Sequence, residues 1–194
     1  MRKSFGVLLS VLGFAWAQAA FAAEYTIDQA HSHVGFSIRH IATKVKGEFR
    51  EFSGSFSFDE KKPATSKVSV TVQSVSVFTN NDKRDAHLRT PDFFDATKYP
   101  TATFTSTKVE DAGKGRYKVT GDLTLHGVTK SVVLDVEHLG TEQAFGSSVA
   151  GFTATTRIFR KDFGFDLGKV LESGKLMLSD EVDLTLEIEA KAKK

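Results

Sequence analysis

The sequence predicts an all-β protein, an eight-stranded antiparallel up-and-down β-barrel with a short helix in the 80–100 connection closing one rim. Three observations predict it. Apolar side chains recur at every second position in eight separate runs. Turn-forming Gly, Pro, Asp and Ser stand between the runs. One connection, NNDKRDAHLRTPDFFDATKYP at residues 80–100, drops the alternation and gathers a histidine, several cations, adjacent phenylalanines, Pro91 and Pro100.

In chain order the first element is a leader. Residues 1–22 carry Arg2 and Lys3, an apolar run from Phe5 to Ala17, and small residues Ala20 and Ala22 around Phe21. This pattern reads as a secretory signal cleaved after Ala22, and the run is shorter than the roughly 20 residues a membrane-spanning helix needs. Cleavage leaves a single domain, residues 23–194, in the periplasm with no transmembrane segment. It also removes Arg2 and Lys3 from the 26 Lys and Arg, while all 24 Asp and Glu remain, so the exported chain is formally neutral. No uniform positive field argues for nucleic acid. Cysteine is absent, so no disulfide braces the domain, thiol chemistry is excluded, and an ordinary core must hold the fold.

Val34, Phe36 and Ile38 begin the alternation. Phe52, Gly54, Phe56 and Phe58 mark the second strand, and Val68, Val70 and Val72 the third. Ala102 and Phe104 open the fourth, and Val119, Gly121, Leu123 and Leu125 form the fifth. Val132, Leu134 and Val136 are the sixth; Phe152, Ala154, Thr156 and Ile158 the seventh. The eighth sets Val182, Leu184, Leu186 and Ile188 against Asp183, Thr185, Glu187 and Glu189. DEKKPATSK, EDAGKGR, HGVT and LGTEQAFG supply reversals. Such strands form a barrel or a two-sheet sandwich. A barrel of eight is filled by its own side chains or holds one ligand. Small or hydroxylic inward positions (Gly54, Ala102, Ser106, Gly121, Ala154, Thr156) argue for space, unless a loop or helix fills it.

Up-and-down connectivity brings the ends of strands one, three, five and seven to one rim: His40, Phe78, His126 and Arg160. The 80–100 connection and RKDFGFDLGKVLESGKLML, residues 160–178, join them there. Residues 81–89 suit a short helix, with Asn80 or Asn81 as cap, Asp82 and Asp85 near its start, an Asp85 to Arg89 pair, and Pro91 as the stop. Lys83, Arg84 and His87 cluster on it, above an apolar underside of Leu88, Phe93 and Phe94. The segment reads as a lid or as a plug. Parity turns His40 and Arg160 inward, with Asp162 placed to orient Arg160 or cap the next segment. An apolar tube with cations at its mouth suits a long-tailed amphiphile with an anionic head. The head-group candidates are His40, Arg84, His87 and Arg160. The tail candidates are Phe36, Ile38, Phe94, Phe104, Leu123, Phe152 and Leu184.

Four blocks carry a family resemblance: YTIDQAHSHVGFSIRH (25–40), RDAHLRTPDFFDATKYPTATFTS (84–106), GDLTLHGVTKSV (121–132) and RKDFGF (160–165). Through them nearly the whole exported chain resembles the YceI family of exported, lipocalin-like, polyisoprenoid-binding proteins. The resemblance implies an eight-stranded barrel closed by a short helical segment, holding an isoprenoid or another long-chain lipid such as a quinone or fatty-acid derivative. It implies no catalytic residue set and no cofactor besides that lipid, and it makes a homodimer an expectation. The likeness to true lipocalins is architectural, because the exported chain has no Trp for their Gly-x-Trp signature.

Two other readings stay open. His40, His87 and His126 approach one rim, and three imidazoles form a known catalytic zinc set, so a histidine-based metal site or hydrolase is the alternative. Against it, His126 has outward parity, His31 and His33 enter at the far rim, and no HExxH spacing occurs. The string DFG at Asp162 to Gly164 lacks the accompanying kinase sequences, and no G-x-S-x-G occurs. The remaining reading is a filled barrel that binds through its surface.

Overall fold

The computed structural model describes residues 22–144, 146–166, 171, 174 and 176–193. Apart from Ala22, the expected leader lies outside them. The strands are β1 (Ala23–Ile27), β2 (His33–His40), β3 (Thr43–Phe49), β4 (Phe52–Phe58), β5 (Lys67–Gln73), β6 (Val77–Phe78), β7 (Thr101–Gly113), β8 (Arg116–Leu125), β9 (Val128–Ala144), β10 (Ser147–Phe159) and β11 (Leu178–Ala192). The helix is α1 (Asp82–Leu88).

These segments reduce to eight barrel strands. β1 and β2 both lie antiparallel to β11, with Tyr25 opposite Ala192 and Phe36 opposite Leu184, and a turn of 3-10 helix at Gln29–His31 parts them. β3 and β4 follow the same kinked path, Val45 opposite Ile38 and Phe56 opposite Tyr25. β5 pairs with β4 and β6 with β3, giving the third strand. The order then runs β7, β8, β9, β10, β11, and β11 closes the ring on β1 and β2. The ring is continuous through these pairings, although β3 before Glu48 and β7 beyond Thr105 are paired on one side only.

β1 and β3 extend the sequence expectation. TKVKGEF alternates weakly because its inward positions include Gly47, where a Cβ would sit 2.3 Å from the Phe36 ring. The glycine reads as a break but makes room for an aromatic ring. The same correction applies to two of the positions read as space. A Cβ at Gly121 would meet Phe104 at 2.4 Å, and one at Gly54 would meet Ile27 at 2.8 Å, so neighbouring side chains already fill those sites.

The turns are tighter than the sequence implies. Lys114 and Gly115 (φ 57° and 73°), like His126 and Gly127 (φ 52° and 75°), make two-residue hairpin turns whose positive φ matches strand twist. LGTEQAFG is mostly strand, since β9 continues to Ala144. Bulges reset side-chain direction: beyond Thr107 the inward series moves from Phe104 to Val109. Buried side chains gather in three clusters. Tyr25, Phe52 and Phe56 belong to one cluster, Val109, Tyr117 and Leu134 to the next, and Ile158, Phe163 and Phe165 to the cluster at the lid end.

Candidate functional site

The barrel holds a cavity of about 610 Å³ with walls of inward-facing side chains from all eight strands. All seven tail candidates line it: Phe36, Ile38, Phe94, Phe104, Leu123, Phe152 and Leu184. So do the four head-group candidates, His40, Arg84, His87 and Arg160, at the rim where the two long connections meet. Val45, Phe49, Met177 and Leu178 also line it and were not singled out from sequence. Inward parity would have revealed Val45 and Phe49 had β3 been recognised.

The lid is built by local chemistry. Asn81 caps α1 by accepting a hydrogen bond from the Arg84 amide at 3.0 Å. Asp85, 3% exposed, accepts from the Thr79 amide at 2.9 Å and from the Thr79 hydroxyl. That partner replaces the expected Asp85 to Arg89 pair. Arg89 instead donates to the carbonyls of Val75 at 2.6 Å and Val77 at 2.9 Å, tying the lid to the third strand. Beneath it the Phe94 ring meets Phe49 at 5.4 Å and Phe165 at 5.4 Å, bridging the mouth edge to face.

The cations at this rim differ in what they hold. Arg84 donates Nε to the Thr79 hydroxyl and Nη2 to the Thr79 carbonyl, both at 2.7 Å. The His87 Nε2 lies 2.9 Å from an Asp92 carboxylate oxygen, on the exposed side of the lid. Arg160 is buried at 7% exposure and donates Nε to the Ser179 carbonyl at 3.0 Å and Nη1 to the Phe165 carbonyl. These carbonyls, rather than Asp162, orient it. Its Nη2 is buried with no hydrogen-bond partner among the described residues. A charged donor in that state sets the strongest demand for an electronegative ligand atom in the cavity wall.

His126 does not simply face solvent. It packs between Tyr99 at 4.7 Å and Phe165 at 4.8 Å, with Nδ1 3.2 Å from the Phe163 carbonyl. His40, His87 and His126 do not form a ligand cluster. Among the described residues, the group with possible metal-ligating atoms within 4.8 Å of one another is Asp28, His31 and Glu189, near the far rim. There Lys191 already donates to the Asp28 carboxylate.

Comparison with known proteins agrees with this architecture. Residues 25–190 match the YceI-like domain. A UPF0312 protein of Vibrio parahaemolyticus is 43% identical over 97% of this chain and 98% of its own, and Protein YceI of Shigella flexneri is 44% identical over 97% of each. A YceI protein of Campylobacter jejuni superposes with a TM-score of 0.71 at 40% identity, covering 86% of this chain and 96% of that one. A polyisoprenoid binding domain from Saccharophagus degradans shares the fold at a TM-score of 0.66 and 18% identity, over 89% and 99% of the two chains. Among the described residues no helix is long and apolar enough to cross a membrane. Barrel, lid, matched span and relatives agree: this chain belongs to the YceI-like domain family.

Proposed function

We propose that this protein is a periplasmic, non-enzymatic carrier that holds one long-chain amphiphile, an isoprenoid lipid, inside its barrel. The observation that carries the reading is the barrel cavity, whose walls are almost wholly apolar. Burying a hydrocarbon tail supplies about 0.8 kcal/mol per CH₂, so roughly ten methylenes give about 8 kcal/mol before the costs of association. Affinity on that scale needs no catalytic group. The fold shared with the Saccharophagus domain named as polyisoprenoid-binding supports the same reading at the level of architecture.

On this reading Phe36, Ile38, Phe94, Phe104, Leu123, Phe152 and Leu184 touch the tail, and the head lies under the lid. Arg160 is its main anchor because its Nη2 has no other partner. His40, Arg84 and His87 surround the same end, with Arg84 held in place by Thr79. Native mass spectrometry of tag-free protein from the periplasm, followed by solvent extraction, tests the proposal. The expected result is a stoichiometric adduct that extracts as a polyprenyl or quinone species. A bare mass that stays unchanged after polyprenyl lipid is added overturns it in favour of a filled barrel.

A further inference from the structure

Toward the cavity end opposite the lid, side chains meet across the bore. Phe58 on β4 touches Phe152 on β10 at 5.2 Å between ring centroids, and His138 on β9 at 5.0 Å. In the closed ring β4 stands across the barrel from β9 and β10. Tyr117 on β8 packs edge-on to Phe58 at 5.6 Å, and Phe56 packs edge-on to Phe152 at 5.3 Å. His138 lies at 26° to Phe152, 4.8 Å away, and its Nε2 is 2.9 Å from the Thr141 hydroxyl. Unbroken alternation with Val132, Leu134 and Val136 turns this imidazole inward, and a bulge follows it. The register passes from Gly151 opposite Gly140 to Phe152 opposite His138, leaving Leu139 unpaired and 63% exposed.

Edge-to-face rings interlock in a preferred geometry, so this floor is a fixed layer. Phe58, Tyr117 and Phe152 also line the cavity, so the end of an inserted tail rests on them. Floor and lid define a length. From Phe152 to Arg160, β10 and the residue after it span about 26 Å at 3.3 Å per residue, or roughly 20 Å along the axis of a barrel with strands tilted about 40°. An extended isoprene repeat has four main-chain bonds against three in a peptide unit, so it spans roughly 4.5 Å. About four extended repeats therefore fit between the floor and Arg160; longer tails fold back or project past the lid.

We propose that the layer of Phe58, Phe152 and His138 is a length gauge that fixes how much of the tail the barrel encloses. This rests on the reading of the cavity as a lipid site. The test measures relative affinities of purified protein for farnesol, geranylgeraniol and successively longer all-trans prenols by competition in native mass spectrometry. In the wild type, affinity rises with each added repeat and then levels off. In Phe58→Ala and Phe152→Ala the plateau moves at least one repeat longer, and in Phe152→Trp it moves shorter. Phe58→Leu and Phe152→Leu serve where an alanine variant does not fold, with a smaller shift in the same direction. Plateaus at one length in the wild type and all folded variants overturn the gauge while leaving the lipid reading intact. A wild type that takes up no prenol of any length overturns the lipid reading, and the gauge with it.

Discussion

Arg160 is 7% exposed and has a guanidinium nitrogen without a partner. Leaving a buried donor unpaired costs roughly 1–3 kcal/mol, more when it is charged. A ligand oxygen on Nη2 removes that penalty, and a phosphate adds charge assistance worth about 1.5–3 kcal/mol. Arg160→Met is therefore expected to weaken a prenyl phosphate about tenfold or more relative to the prenol of the same tail, measured by competition. Equal losses for the two ligands refute the head-group role. The variant also deprives the Ser179 and Phe165 carbonyls of their donor, so the ratio of affinities is the informative quantity and melting is not. The inward direction of Arg160 was legible because strand parity continues past Ile158. Its partners were not, because they come from residues brought near only by the closed fold. Proximity in sequence favoured Asp162, and geometry favoured two carbonyls.

At the scale of elements, the lid shows what local chemistry determines and what it leaves open. The expected helix at 81–89 becomes Asp82–Leu88, capped by Asn81, since caps and proline stops act through nearest neighbours. The carboxylate of Asp85 had two competing uses. Pairing with Arg89 on an exposed face gains a few tenths of a kcal/mol, whereas satisfying the buried Thr79 amide avoids a larger penalty. Asp85→Ala is accordingly expected to lower stability by about 1–3 kcal/mol. Chemical denaturation gives the magnitude, and hydrogen exchange should show faster amide exchange from Thr79 to Tyr99. Unchanged exchange there would mean the lid is held mainly by Arg89 and the rings beneath it. β3 escaped sequence reading for a related reason: Gly47 accommodates the Phe36 ring, a contact visible only once two strands are paired.

Over the whole molecule, the eight-strand count and the shared rim follow from alternation and connection lengths, and both match the closed barrel. The kinks that split its first three strands, and the bulges that rotate β7 and β9, depend on contacts across the barrel and left no local pattern. The seam of the barrel joins the first and last strands. Beside it Asp28 is held at about 2, below the ordinary 3.8, by hydrogen bonds from Lys191 and then His31. A depressed carboxyl value in the folded state means that this clamp contributes fully above about pH 4 and is lost as pH falls towards about 2. The gap in melting temperature between wild type and Asp28→Asn is therefore expected to shrink over that interval. Thermal unfolding followed from neutral to acidic pH measures it, and a constant gap would mean that Asp28 ionisation does not brace the seam.

For the lipid carrier proposed above, the aromatic floor would also give traffic through the barrel a direction. A vessel shut at one end has a single doorway, so its cargo enters tail first and departs head first. Donor and recipient of such a carrier would then use the same rim in turn, in a relay where one leaves before the other docks.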